Sequence, residues 1–192
     1  RWSARLARWR PRRPRSAKAR CRGGRHAAAG HDRRGADDRD RRALQALEGG
    51  WLELFVEGIG AGARYAYRID GGQQVPDPAS RCNPDDVHRP SMVVDPRAYD
   101  WIDANWRGRR WEEAVIYELH VGAFTPEGMF AAARERLDGL RQIGITAIEL
   151  MPLADFPGRR NWGYDGVLLF APESSYGTPE ELKSFVDAAH QL

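Results

Sequence analysis

The chain has no long apolar run. None of its 192 residues lie in a stretch approaching the roughly 18 consecutive apolar residues a helical membrane span needs. No helical membrane span is legible in these residues, and no membrane partner is expected. There are only two cysteines, Cys21 and Cys82, at no metal-binding or redox spacing. They read as two thiols of a reducing compartment. The basic start is not followed by the apolar segment of a secretory signal, so a cytoplasmic location is expected. No metal site, nucleotide loop or other cofactor motif is legible. Lysine is nearly missing from the first fifty residues: of 16 basic side chains there, 15 are Arg and one is Lys18.

What is present divides unevenly. Residues 1–50 carry 16 basic and 5 acidic side chains, whereas residues 51–192 carry 14 and 22. The formal net charge of +3 therefore describes neither part. Residues 1–42 form a basic, low-complexity head of Arg, Ala, Gly, Pro and Asp with no helical or strand period. Three readings stay open for it. Arg, Ala, Gly and Pro all have GC-rich codons, so a GC-rich gene read in the wrong frame gives such text. A disordered tail fits the shortage of apolar mass. A nucleic-acid arm ranks last, because only Trp2 and Trp9 are there to stack on bases, and no nucleic-acid partner is expected.

From about residue 43 the pattern becomes orderly. In WLELFVE, 51–57, Leu52 and Leu54 alternate with Glu53 and Phe55. After GIGAG, the run ARYAYRID at 63–70 alternates again, with Tyr65, Tyr67 and Ile69 on one face. Two alternating runs around a Gly-rich loop predict a hairpin. The stretch 73–101, with five prolines, predicts an extended connection containing one short strand at 91–94.

The second half has another rhythm. AVIYELHVG (114–122) is a short apolar strand pattern. Phe130, Ala133, Leu137, Leu140 and Ile143 then recur at helical spacing, and Gly144 stands where a C-terminal glycine belongs. ITAIELMP (145–152) is a second buried strand pattern, which makes a parallel βαβ unit. A final helix is announced by Thr178 as N-cap, Pro179 at the first position and Glu181 completing a capping box. Leu182, Phe185, Val186, Ala189 and Leu192 form its apolar stripe.

Between the second strand and that helix lies a loop of about fifteen residues containing NWGYDG, 161–166. Loops at the carboxyl ends of parallel strands build active sites, and this one exceeds the usual two to six residues. Trp162 and Tyr164 offer flat faces on which a sugar ring stacks. Asn161 and Asp165 offer hydrogen bonds to hydroxyls, and Arg159 and Arg160 a grip on a carboxylate. The plainer alternative is that both aromatic rings pack the loop down. Glu118 and Glu149 fall within strands and His120 reads as a strand residue, so none of them is taken as catalytic.

VIYELHVGAFTPEGMF and ELMPLADFPGRRNWGYDG, together with VPDPASR, resemble the malto-oligosyltrehalose trehalohydrolases, a family within the α-amylase family of glycoside hydrolases. The resemblance covers about three quarters of the chain. It implies a partial, starch-binding-like β-sandwich over 43–100, followed over 101–192 by the first βαβα portion of a (β/α)8 TIM barrel. The implied activity is release of trehalose from maltooligosyl trehalose by hydrolysis of the adjacent α-1,4 bond. The implied mechanism is retaining, with an Asp nucleophile and a Glu acid/base. The implied partner is maltooligosyl trehalose or another α-glucan, with no cofactor and no metal. Tyr164 matches the aromatic residue that stacks on the sugar at the cleaved bond; Trp162, Asn161 and Asp165 are further substrate-binding candidates. The nucleophile and acid/base have no counterpart up to Leu192. The 78 residues from Val115 onward compare with roughly 250 for a whole barrel. A truncated, inactive chain is therefore expected. ELHVG and NWGYDG are shared with glycogen branching enzymes, which are the alternative. A non-catalytic glucan-binding module is the alternative of another class.

Overall fold

The computed structural model describes residues 18–22, 41–69 and 73–192. The chain forms two compact units, Arg1–Asp95 and Pro96–Leu192. No helix among the described residues is long and apolar enough to cross a membrane.

The first unit contains strands β1 (Lys18–Arg22), β2 (Arg41–Ala43), β3 (Gln45–Ala46), β4 (Leu52–Glu53), β5 (Arg64–Arg68), β6 (Gln74–Val75) and β7 (Ser91–Met92). β5 is the centre. Along its whole length it pairs antiparallel with β1, which pairs onward with β2. On its other edge it pairs with β6 through Tyr67 and Arg68 and with β7 through Arg64 and Tyr65. Two strands of this sheet thus come from the basic head or its border, where no strand period was expected. Pairing there runs through backbone groups, which need no side-chain pattern. The rest of the head lies outside the described residues.

The expected hairpin between 51–57 and 63–70 is not formed. β4 is only two residues long and pairs with β3, while both edges of β5 are taken by other strands. The reason lies in the glycine loop. Gly58 and Gly62 both adopt positive φ, 72° and 85°, and turn the chain twice. The Gly62 amide then donates to the Val93 carbonyl at 2.9 Å, and the Val93 amide donates to Ala63 at 2.9 Å. The Pro-rich connection thus occupies the edge that a hairpin partner would use.

That connection is held by buried polar groups. Tyr65 donates to the Asp77 carboxylate at 2.8 Å, the Asp77 amide donates to Ser91 Oγ at 3.0 Å, and the Ala79 amide donates to Asp77 Oδ1 at 2.8 Å. Ser80 Oγ donates to the Cys82 carbonyl at 2.9 Å. A buried irregular segment has to satisfy its backbone this way.

The second unit contains β8 (Ile116–Leu119), α1 (Val121–Phe124), α2 (Phe130–Arg134), α3 (Leu137–Gln142), β9 (Ala147–Leu150), β10 (Ala154–Asp155), β11 (Leu168–Pro172) and α4 (Pro179–Gln191). β8 and β9 are parallel and in register from Ile116↔Ala147 to Leu119↔Leu150. With the crossover helices between them, they make the expected βαβ unit. Phe130, Ala133, Leu137 and Leu140 are buried as the helical spacing requires.

Ile143 departs from that stripe and is 74% exposed. The helix is interrupted at Glu135–Arg136. Ile143 is the residue after α3, with ψ 5°, so the helical phase has ended before it. Gly144 does close the helix. Its φ is 93°, its amide donates to Arg141, and the Ile145 amide donates to Leu140, the double bond of a glycine-terminated helix. At α4 the capping box is complete. Thr178 Oγ1 accepts from the Glu181 amide at 3.1 Å, and Glu181 Oε2 accepts from the Thr178 amide at 2.7 Å. Leu192, expected in the α4 stripe, is exposed.

Candidate functional site

The stretch between β9 and α4 is more ordered than the long loop expected from its sequence. β10 and β11 pair antiparallel with a bulge, so NWGYDG lies on the 156–167 connection of a hairpin. Two fully buried carboxylates clamp its base. Glu173 accepts from the Phe156 amide at 3.0 Å and from the Ser175 amide at 2.8 Å. Asp155 Oδ1 accepts from the Ser174 amide at 3.2 Å. Both are 0% exposed, and both Glu173 oxygens and Asp155 Oδ1 accept from backbone amides of the hairpin base.

The connection leans on the carboxyl ends of the two parallel strands. His120 follows β8 directly, and its Nε2 is 3.1 Å from the Asn161 carbonyl oxygen. A carbonyl only accepts, so Nε2 carries the proton and donates. The Tyr176 hydroxyl lies 3.3 Å from the same nitrogen. Met151 follows β9, and its methyl carbon would stand 3.0 Å from a Cβ placed on Gly163. Gly163 has φ 92°, and its amide donates to Asn161 Oδ1. Only glycine takes that backbone without strain in so tight a place.

The result is an alternation along the loop. Asn161 is half-buried and Gly163 is buried, both fixed to the strand ends. Between and after them, Trp162 is 84% and Tyr164 78% exposed. Asp165, Arg159 and Arg160 are exposed as well. All four proposed sugar contacts therefore share one loop, with Asn161 turned to holding the backbone. The two aromatic rings do not pack the loop down. Glu118 and Glu149 sit opposite each other within β8 and β9.

Tyr176 and Gly122, which nothing in the sequence singles out, form the support together with His120. Tyr176 is 2% exposed. Its ring meets the edges or faces of His120, Phe130 and Phe156 at centroid distances of 5.8, 6.0 and 5.8 Å. Burial first, and then the Glu173 charge, push its hydroxyl up to about 12. His120, expected within a strand, lies one residue past it. Gly122 makes room for both rings: a Cβ there would stand 2.8 Å from Tyr176 Cε1 and 3.1 Å from His120 Cε1. Nothing local marked this group, because its contacts span 41 and 56 residues of sequence. Among the described residues no group of three or more His, Cys, Asp or Glu is placed to hold a metal ion.

Parallel strands with an aromatic-bearing loop at their carboxyl ends belong to a class for which comparison with known proteins is specific. The chain resembles enzymes of the α-amylase family. A Salmonella typhimurium protein described as an alpha amylase superimposes with a TM-score of 0.81 at 45% identity, over 92% of this chain and 27% of that one. Pullulanase from Bacillus acidopullulyticus shares the fold at a TM-score of 0.72, 23% identity, 98% and 27% coverage. Within that class the likeness is to malto-oligosyltrehalose trehalohydrolase. The Deinococcus radiodurans protein of that name is 50% identical over 149 residues, 78% of this chain and 24% of its own length. The Saccharolobus solfataricus one is 44% identical over 143 residues, 74% and 25%. A 1,4-alpha-glucan branching enzyme from Vibrio parahaemolyticus is 36% identical over 170 residues, 80% and 22%. The chain thus spans about a quarter of the length of the curated relatives it matches. No protein-family model matches it.

Proposed function

We propose that this chain is part of a glycoside hydrolase that releases trehalose from maltooligosyl trehalose by cleaving the adjacent α-1,4-glucosidic bond, and that it acts in the cytoplasm in trehalose formation. In this reading the 43–100 region belongs to a starch-binding-like β-sandwich. The 101–192 region is the opening βαβα portion of a (β/α)8 barrel. The loop at 161–166 rims the sugar cleft. Tyr164 stacks on the sugar ring at the cleaved bond, Trp162 widens that apolar surface, and Asp165 faces sugar hydroxyls, to which Asn161 offers its side-chain N–H, its Oδ1 being held by the Gly163 amide. The observation that carries the reading is the pair of rings, 84% and 78% exposed, on a loop fixed to the carboxyl ends of parallel strands. Exposed aromatic faces of this kind suit the apolar face of a pyranose, while neighbouring polar groups set its orientation.

None of the carboxylates on these 192 residues takes the nucleophile or acid/base role in this reading. Glu118 and Glu149 lie in strands, and Asp155 and Glu173 are committed to backbone amides. The chain alone is therefore expected to release no trehalose from maltooligosyl trehalose. The full protein encoded by the gene is expected to release it, with a shortened maltooligosaccharide as the second product. The 36% likeness to a branching enzyme supports a second reading. Product analysis decides between them: new α-1,6 branches without free trehalose would replace the first reading by the second.

A further inference from the structure

We propose that His120 is a positioning residue for the sugar-binding loop, a latch that sets where Trp162 and Tyr164 stand. The inference rests on the reading of that loop as a sugar contact and adds how the contact is held in place. His120 reaches from the end of β8 to the Asn161 carbonyl at 3.1 Å, across 41 residues of sequence. Asn161 passes the constraint on within the loop, because its side chain accepts from the Gly163 amide. Trp162 lies between these two fixed residues and Tyr164 directly follows them. Neither ring has a burying contact of its own, at 84% and 78% exposure. Their placement is therefore inherited from the backbone at 161 and 163.

The imidazole has little else to do. Its Nδ1 is buried and makes no hydrogen bond among the described residues. Among the described residues its polar partners are the Asn161 carbonyl and the Tyr176 hydroxyl, both on Nε2. The Tyr176 ring stands edge-on to it at 5.8 Å and 76°, which fixes the direction in which Nε2 points. Gly122 is the residue whose missing side chain permits that approach. Strand end, ring support and loop carbonyl thus form one chain of contacts that ends beneath the two exposed aromatics.

The test compares the full chain with His120→Ala, His120→Gln and Tyr176→Phe. Glutamine places an amide N–H close to where the imidazole Nε2–H sits; alanine removes it. Two quantities are measured: hydrogen exchange of the 158–166 backbone amides, and affinity for maltotetraose as a defined α-1,4-glucan. His120→Ala is expected to exchange about tenfold faster in the loop and to bind maltotetraose about tenfold more weakly, the order expected for one lost hydrogen bond. His120→Gln is expected to restore most of both. Tyr176→Phe, which keeps the ring, is expected to change either by less than about threefold. Exchange in a folded His120→Ala chain at the unaltered rate overturns the latch, as does a glutamine variant that behaves like alanine. Should the alanine variant fail to fold, loop exchange in the glutamine variant decides, since a rate near that of the parent supports the latch and a tenfold rise overturns it. If the parent chain does not bind maltotetraose, the sugar reading of the loop fails, while the exchange rates still decide the latch.

Discussion

Two segments of the molecule hold irregular backbone in place by opposite means. Between residues 77 and 91, four of the six buried side chains are polar: Asp77, Ser80, Asn83 and Ser91, beside Cys82 and Val87. From 119 to 185 the buried set is dominated by Leu119, Val121, Phe130, Leu137, Phe156, Tyr176 and Phe185, and its few polar members, such as Asp155 and Glu173, serve the hairpin base. The first segment is a Pro-rich connection with few apolar contacts to give, so side-chain oxygens satisfy its amides directly. The second has a βαβ core with area to bury, and a loop can be mounted on that core. The exposed rings of Trp162 and Tyr164 stand on the second kind of support. They contribute nothing to burial, and the apolar contacts beneath them must make up for it.

The largest effect should come from removing an apolar anchor of the second unit. Phe130 is 0% exposed and packs edge-on against Tyr176. Phe130→Ala is expected to cost about 3–5 kcal/mol, read by urea unfolding followed through exchange of the 130–185 amides. A loss below about 1 kcal/mol would mean the apolar core is not what supports the loop. Next in size is the clamp. Glu173→Ala leaves the Phe156 and Ser175 amides without their acceptor in a buried place, at a cost of about 3 kcal/mol. On the other side of the comparison, Asp77→Ala removes the acceptor used by Tyr65 and by the Ala79 amide. About 2 kcal/mol should be lost there, with faster exchange at Ala79. Were Asp77→Ala to cost nothing, the polar segment would be held by something other than its buried oxygens.

Much of this was readable from the chain, and the boundary of what was readable has a physical cause. The Thr178–Glu181 capping box, the Gly144 helix stop and the parallel strand pair follow from rules that act within a few residues, and each is present as expected. Partner choice is not local. Alternation marked residues 63–70 as a strand, and five of them form β5, yet nothing in that alternation said that β1, β6 and β7 would flank it and β4 would not. The same holds at the candidate site. Trp162 and Tyr164 stood out by chemistry, whereas His120, Gly122 and Tyr176 matter only because the fold brings them together. Ile143 shows a third kind of limit. Its spacing was helical, but the interruption at 135–136 and the glycine stop ended the helix one residue too early to bury it.

The smallest expected effect separates the two supports by pH. Tyr176 lies in the apolar one, and its hydroxyl is pushed from 10.0 to about 12 by burial and then by the Glu173 charge. In the unfolded chain it ionises near 10.0, so the folded state holds this proton more tightly. The stabilisation is fully present below pH 10 and is lost as pH rises through about 12, because the unfolded state gains by ionising first. Tyr99 is also raised, by burial and by its bond to Asp187, and adds to the same slope. Unfolding free energy measured between pH 9 and 12 should therefore fall, and Tyr176→Phe should flatten the fall without abolishing it. An identical slope in that variant would show that the ring beneath the loop is open to solvent. The His120 and Gly122 contacts would then be too loose to position anything above them.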